Sequence, residues 1–161
     1  MQKKHSGKTT EIILRFLAEP TDINLFGKVH GGAVMKWIDQ AGYVCATGWC
    51  GLPCVTVYVG GIRFHKPILI GNLVEVRARL VYTGKTSMHM RVEVRAADPK
   101  KKHFTRTTQC TIVFVAIDDR GRPVDVPKWE PCTPEEKRLE QAAIRFMESG
   151  KQADEEMVSA F

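Results

Sequence analysis

No metal-ligand spacing runs through the five cysteines of this chain. Cys45, Cys50 and Cys54 fall irregularly, Cys110 and Cys132 lie far downstream, and His65 is remote from all of them. Structural zinc sites use tight, repeated ligand spacings, so these thiols read as buried structural groups. A secretory leader is also missing: MQKKHSGKTT is polar, and the first apolar run is broken by Arg15. An odd number of cysteines without a leader points to reduced thiols in the cytoplasm. There is no internal repeat, no low-complexity segment and no helix-turn-helix pattern. Aromatic residues make up only 8% of the chain, and the strands carry no exposed aromatic ladder of the kind that stacks bases. One uncharged stretch, 40–62, is long enough to span a bilayer. It holds Gly48, Gly51, Pro53, Gly60 and Gly61 and turns strand-like at Val55-Thr-Val-Tyr-Val59, so a helix end, a loop and a buried strand explain it better.

What is present suits one domain. The chain has 161 residues, 43% of them apolar, enough for a core with a short tail beyond it. The net charge of +6 favours an anionic ligand, which could be nucleic acid, an acidic membrane or a phosphorylated metabolite. Charge alone does not choose among them.

Periodicity orders the chain. Residues 9–18 mix β-branched and apolar residues and read as a strand. Pro20, Thr21, Asp22 and Asn24 mark a loop. Residues 31–48 read as a helix apolar nearly all round, which is normally buried on most sides. Strand periods follow at 54–64, 73–83, 86–97 and 104–117, with a bulge or bend expected at Gly60-Gly61. A turn at Gly84-Lys85 joins the third of the five strands to the fourth, and Asp98-Pro-Lys-Lys-Lys102 reads as a solvated basic turn. Residues 134–149 read as an amphipathic helix with Pro134 at its start and acids in its first turn. The expected organisation is a disordered segment at 1–8, a domain over 9–132, a C-terminal helix at 133–149 and a flexible tail at 150–161. Long strands in succession suggest an antiparallel meander, and the economical packing is a sheet curled around the apolar helix. The fold class is α+β.

Chemistry concentrates at Asn24-Leu-Phe-Gly27-Lys-Val-His30-Gly31-Gly32 and, further along the helix, at Asp39. Tandem glycine weakens a helix start unless backbone must come close to something. A helix N-terminus offers unpaired N–H groups and a positive dipole end, so Gly31 and Gly32 can stabilise an oxyanion; a tight turn that needs glycine for its dihedrals is the other reading. Asp39 sits among Met35, Ile38, Gly42 and Tyr43. Burial there would raise its pKa and improve it as a base, while a hydrogen-bonded structural acid is the alternative. Eight helical residues put Asp39 about 12 Å from Gly31. Asp39 therefore serves the start of a partner's helix more readily than that of its own, and this argues for a site shared between subunits. Asn24 can donate and accept hydrogen bonds, or simply close an Asx turn.

This layout, with the Asn24-x-x-Gly27-x-x-His30-Gly31-Gly32 run and Asp39, resembles the hotdog-fold acyl-CoA thioesterases, of the YciA and cytosolic (brain-type) acyl-CoA hydrolase kind. Further matches are Val55-Thr56-Val57, Phe64-x-x-Pro67, Gly71, Gly84-Lys85-Thr86-Ser87-Met88 and the run 118–123 before Val126-Pro127. The resemblance covers roughly residues 10 to 148. Members often carry Arg where this chain has Lys85. Some fuse two such units, with the functional Asn in one half and the Asp in the other; here one unit holds both.

The resemblance implies a hotdog fold, an antiparallel sheet wrapped around a long central helix, here with an extra C-terminal helix. It also implies hydrolysis of acyl-CoA to fatty acid and CoA. Asn24 would orient water or the thioester carbonyl, Gly31 and Gly32 would polarise that carbonyl, and Asp39 would act as base or nucleophile. His30, Gly84, Lys85, Thr86 and Ser87 would bind substrate, with Arg63, His65 and Lys66 adding positive charge and the acyl chain passing Met35 and Met88. No cofactor beyond the CoA of the substrate is expected, nor a nucleic-acid or membrane partner. A homodimer with shared sites is expected, with tetramers or hexamers built from it.

Two other classes compete. A hydratase or dehydratase on the same fold generally pairs its acid with a nearby His, and no His follows Asp39 within helical reach. A non-catalytic acyl-CoA-binding regulator needs an output element, which the sequence does not show.

Overall fold

The computed structural model describes residues 7–101 and 103–160; the expected disordered residues 1–6, Lys102 of the basic turn and Phe161 lie outside the described residues. The chain runs β1 (Glu11–Leu17), a 3-10 turn (Pro20–Asp22), α1 (Gly31–Cys50), β2 (Cys54–Phe64), β3 (Leu73–Thr83), β4 (Ser87–Ala97), β5 (Thr105–Ala116) and α2 (Pro134–Ser159). The strands form one antiparallel sheet in the order β1-β3-β4-β5-β2.

Alternation gives the sheet two unlike faces. Val74, Val76, Ala78 and Leu80 of β3, Met88, Met90, Val92 and Val94 of β4, and Cys110, Ile112, Phe114 and Ala116 of β5 share one face and form the core with α1. From α1 come Val34, Trp37, Ile38, Ala41, Cys45, Ala46 and Trp49. Gly42 lets the helix settle on the sheet: a Cβ there would lie 2.6 Å from the Phe114 ring. The opposite face carries Glu75, Arg77, Arg79, Arg91, Glu93 and Arg95, cross-linked by pairs such as Arg15–Glu75 at 2.8 Å and Arg79–Glu135 at 2.8 Å. α2 packs on this second face, with Leu139, Ala143 and Phe146 above Arg91, Gln109 and Thr111.

Three expectations need correction. α1, expected to be buried on most sides, is open along one: Gly32, Lys36, Asp39, Gln40, Tyr43 and Val44 form an exposed strip at helical spacing. The C-terminal helix does not stop at 149 but runs on to Ser159, with each of 151–160 exposed. Gly150 sits inside it because a side chain there would crowd the Tyr58 hydroxyl. Lys8 is not part of a loose segment; its ammonium lies 5.2 Å from the centre of the Trp49 ring, and Thr9 N–H donates to Gly48 O at 3.2 Å.

The bend expected at Gly60-Gly61 is present. The β2–β5 register shifts there and again between Thr56 and Tyr58, and Gly61 takes φ 64°. β2 lies at the edge of the sheet with Val55, Val57 and Phe64 exposed. Among the described residues no helix is long and apolar enough to cross a membrane.

Candidate active site

The start of α1 is left open. His30 occupies the N-cap in extended conformation and makes no side-chain cap, and the first turn holds no acid. The N–H groups of Gly31 and Gly32 therefore have neither a side-chain oxygen nor a carboxylate beside them. His30 is fixed through its backbone, donating N–H to Asp22 O at 2.8 Å and accepting from Val34 N–H at 3.2 Å, while its imidazole is exposed. Neither Gly31 nor Gly32 has positive φ. A Cβ on Gly31 would meet the Phe64 ring at 3.5 Å, an ordinary contact, and one on Gly32 would meet nothing. Turn geometry thus does not require glycine at either position.

Asn24 closes its own loop. Its Oδ1 accepts from Phe26 N–H at 2.9 Å and Lys28 N–H at 3.2 Å. The Asx turn is real, and the side-chain oxygen is committed to it. What Asn24 retains for a ligand is its Nδ2 donor. Beside it lies a cavity of about 390 Å³ lined by Asn24, Lys28, Gly31, Val34, Phe64, His65, Lys66 and Ile68. Apolar walls with a basic rim suit a ligand with apolar and anionic parts.

Asp39 occupies the middle of the exposed strip, and its Oδ1 accepts from the Thr56 hydroxyl at 2.5 Å. Alternation explains the partnership: Thr56 pairs with Phe114, a core-face residue, so its side chain points to α1. Thr56 leaves Oδ2 free. The expected burial of Asp39 does not occur within one subunit. Asp39 also lines a separate cavity with Leu14, Gln40, Tyr43 and Val44. One chain therefore places an open helix start and an exposed acid about 12 Å apart along the same helix.

The turn at 84–87 is closed on itself. Gly84 N–H donates to Ser87 O at 2.9 Å, so that N–H is not accessible to a ligand as the sequence suggested. Ser87 Oγ lies 3.3 Å from His89 Nε2. Lys85 is exposed. Ser87 pairs with Val115, and Val115 with Val55, so the turn stands at the Thr56 end of the sheet. Arg63, His65 and Lys66 stand at the opposite end of β2, beside Gly31. A strand of this length separates the two basic groups by about 30 Å. Met88, expected along an acyl path, is wholly buried in the core.

Comparison with known proteins gives a consistent result. A profile of the thioesterase superfamily matches residues 26–103. The protein VdlD of Helicobacter pylori is 33% identical over 150 residues, 88% of this chain and 86% of that protein. The acyl-CoA thioester hydrolase YciA of Salmonella typhimurium is 34% identical over 121 residues, 73% of this chain and 90% of its own. Among solved structures, an apo hexameric acyl-CoA thioesterase superposes with a TM-score of 0.85 at 31% identity, covering 90% of this chain and 93% of that one. An acyl-CoA hydrolase from Staphylococcus aureus, solved with butyryl coenzyme A, coenzyme A and coenzyme A disulfide, gives 0.84 at 27% identity, covering 94% and 92%.

Proposed function

The chain belongs to the thioesterase superfamily, among its acyl-CoA thioester hydrolases, and from that premise we propose how its residues divide the work. The reaction is hydrolysis of acyl-CoA to a carboxylic acid and CoA. The observation that carries the proposal is the separation of Asp39 from its own helix start, with Asp39 exposed and held by Thr56.

Each active site takes the donor end of one subunit and the acid of another. The edge strand β2 and the exposed strip of α1 lie on the same side of the molecule and are partly apolar. An unpaired edge of this kind is a natural pairing surface. Two such surfaces meeting about a two-fold axis run the two α1 helices antiparallel and set Gly31 of one chain beside Asp39 of the other. The solved hexameric thioesterase supports assembly of such dimers into hexamers.

The thioester oxygen lies against the N–H groups of Gly31 and Gly32, with Asn24 Nδ2 as a further donor. These groups oppose the negative charge that forms as water attacks, an effect worth about 3 kcal/mol per donor. Asp39 Oδ2 takes the proton of that water, or attacks the carbonyl itself to form a transient anhydride. Collapse expels the CoA thiolate, which is protonated in turn. The partner's turn at Lys85, Thr86 and Ser87 then stands at the same end of the shared site as the partner's Asp39, while Lys28, His65 and Lys66 stand at the donor end. Both groups are positioned for the phosphates of CoA. No cofactor is needed beyond the CoA that the substrate brings. The five cysteines are unpaired, which supports a cytoplasmic setting.

The test is thiol release from acyl-CoAs of increasing length by wild type and Asp39→Asn. Turnover by wild type and its loss in the variant are expected; equal rates would remove Asp39 from the chemistry. Co-refolding of Asn24→Ala with Asp39→Ala tests the shared site, since a mixed dimer then holds one intact site and about a quarter of wild-type activity returns. No recovery in verified mixed dimers would place each site within one subunit. A single turnover in ¹⁸O water tests the nucleophile route, since label in Asp39 requires water to attack the aspartyl carbonyl of an anhydride, a step the base route lacks.

A further inference from the structure

α1 ends on Cys50 and β2 begins on Cys54, and the two sulfurs lie 3.5 Å apart. The linker fixes this approach. Gly51 takes φ 70° to cap the helix, its N–H donating to Thr47 O at 2.8 Å, and both thiols reach Leu52 O, at 3.6 and 3.3 Å. A disulfide needs about 2.05 Å between the sulfurs, so bond formation must draw the two together. The remaining cysteines are placed differently: Cys45 and Cys110 are buried in the core, and Cys132 is exposed beside the start of α2.

We propose that Cys50 and Cys54 are a dithiol site that peroxide oxidises to an intrachain disulfide, tying the end of α1 to the start of β2. Cys50 is half-buried and is the sulfur a peroxide reaches first. Its thiolate attacks one peroxide oxygen, the O–O bond breaks, and a sulfenic acid and hydroxide form; the hydroxide takes up the proton that Cys50 released and leaves as water. Cys54 then gives up its proton and attacks the Cys50 sulfur, the S–O bond breaks, and a second water leaves. Two thiols lose two electrons and hydrogen peroxide gains them. Desolvation, with the hydrogen bond to Cys50, pushes the Cys54 thiol up to about 12, and Cys54, the more buried of the two, is the resolving partner.

The site touches the chemistry through one short path. Cys54 is two residues before Thr56, whose hydroxyl holds Asp39. Drawing Cys54 towards Cys50 shifts the strand segment that positions the acid. This consequence rests on the reading of Asp39 given above, whereas formation of the bond does not.

The experiment treats the full-length oligomer with equimolar hydrogen peroxide, quenches in acid, and labels thiols with two reagents before and after reduction for tandem mass spectrometry. Cys50 and Cys54 should disappear together and return with dithiothreitol, and in Cys54→Ser a second equivalent of peroxide should carry the Cys50 sulfur on to sulfinic acid. Oxidation of Cys50 without Cys54, its linkage to Cys132, or survival of both thiols at doses that oxidise free cysteine would overturn the proposal. Oxidised wild type should lose several-fold in kcat with KM little changed, reversibly, and Cys50→Ser should not respond. Unchanged kcat with the bond formed would overturn its coupling to Asp39. Absence of turnover even in the reduced protein would instead overturn the hydrolase reading, with the disulfide result unaffected.

Discussion

The two helices begin in opposite ways. α2 has Thr133 at its N-cap accepting from Glu136 N–H at 3.1 Å, Glu136 reaching back to the N–H groups of Thr133 and Cys132, and Pro134 in the first turn. A capping box, a first-turn proline and first-turn acids together satisfy that start. α1 has none of them: no side-chain cap, no first-turn acid, and two glycines. α2 rests on a charged sheet face and buries only Ala143, whereas α1 buries eight residues yet leaves its start bare. The difference teaches that α1, secured by the core it buries, can leave its start uncapped, whereas α2, with little to bury, leans on its cap.

Substitutions at the two starts should give opposite readouts. The largest effect is expected at Gly32→Ala. Alanine favours a helix over glycine by about 1 kcal/mol, and a Cβ there meets no atom of its own subunit, so stability should hold or rise. Activity should nonetheless fall tenfold or more, read as kcat/KM, because the methyl group intrudes where the thioester oxygen lies. Full activity in this variant would return Gly32 to an ordinary turn residue and break the contrast.

Acid should sharpen it from the other face of the sheet. His89 faces away from α1, is buried against Tyr82, and has Nδ1 without a partner. Burial lowers its pKa from 6.5 to about 4. Between those values the unfolded chain binds a proton that the native protein does not, so stability falls as pH drops from 6.5 towards 4 and levels off below. The loss is about 3 kcal/mol at most by linkage. Urea unfolding at pH 7 and pH 5 should show it, and His89→Phe should flatten the dependence; an unchanged slope would assign the acid sensitivity to other groups.

The smallest effect belongs to the finished helix. Thr133→Ala should cost about 1 kcal/mol of stability in denaturant unfolding, with kcat/KM unchanged. Desolvation pushes the Glu136 carboxyl up, but backbone N–H donors from Cys132 and Thr133 more than offset it and hold it below its usual range. Its share of the cap is therefore present at neutral pH and lost only in acid. A drop in activity at neutral pH would tie α2 to the chemistry and weaken the division between the helices.

Much of this was legible in the sequence, because alternation and apolar period are direct consequences of strand and helix geometry. β2 and β3 begin and end where the pattern does. Asp39 was visible as a carboxylate in an apolar helix, but its exposure was not. A stripe that packs on a sheet and one that packs on another subunit carry the same side chains. Thr56 went unnoticed as a site residue because alternation tells which face its side chain takes but not which residue of α1 it meets there. The last ten residues of α2 were misjudged because Gly150 reads as a stop, while its role is to make room for Tyr58.

The distance from Gly31 to Asp39 along one helix has a kinetic consequence. If no subunit can close a site alone, each chain is in effect a reactant in building its own catalyst. At dilutions below the dimer dissociation constant, rate should then scale with the square of protein concentration rather than linearly. A cell would control flux through this reaction more steeply than transcript levels suggest, since halving the protein would remove more than half of the activity.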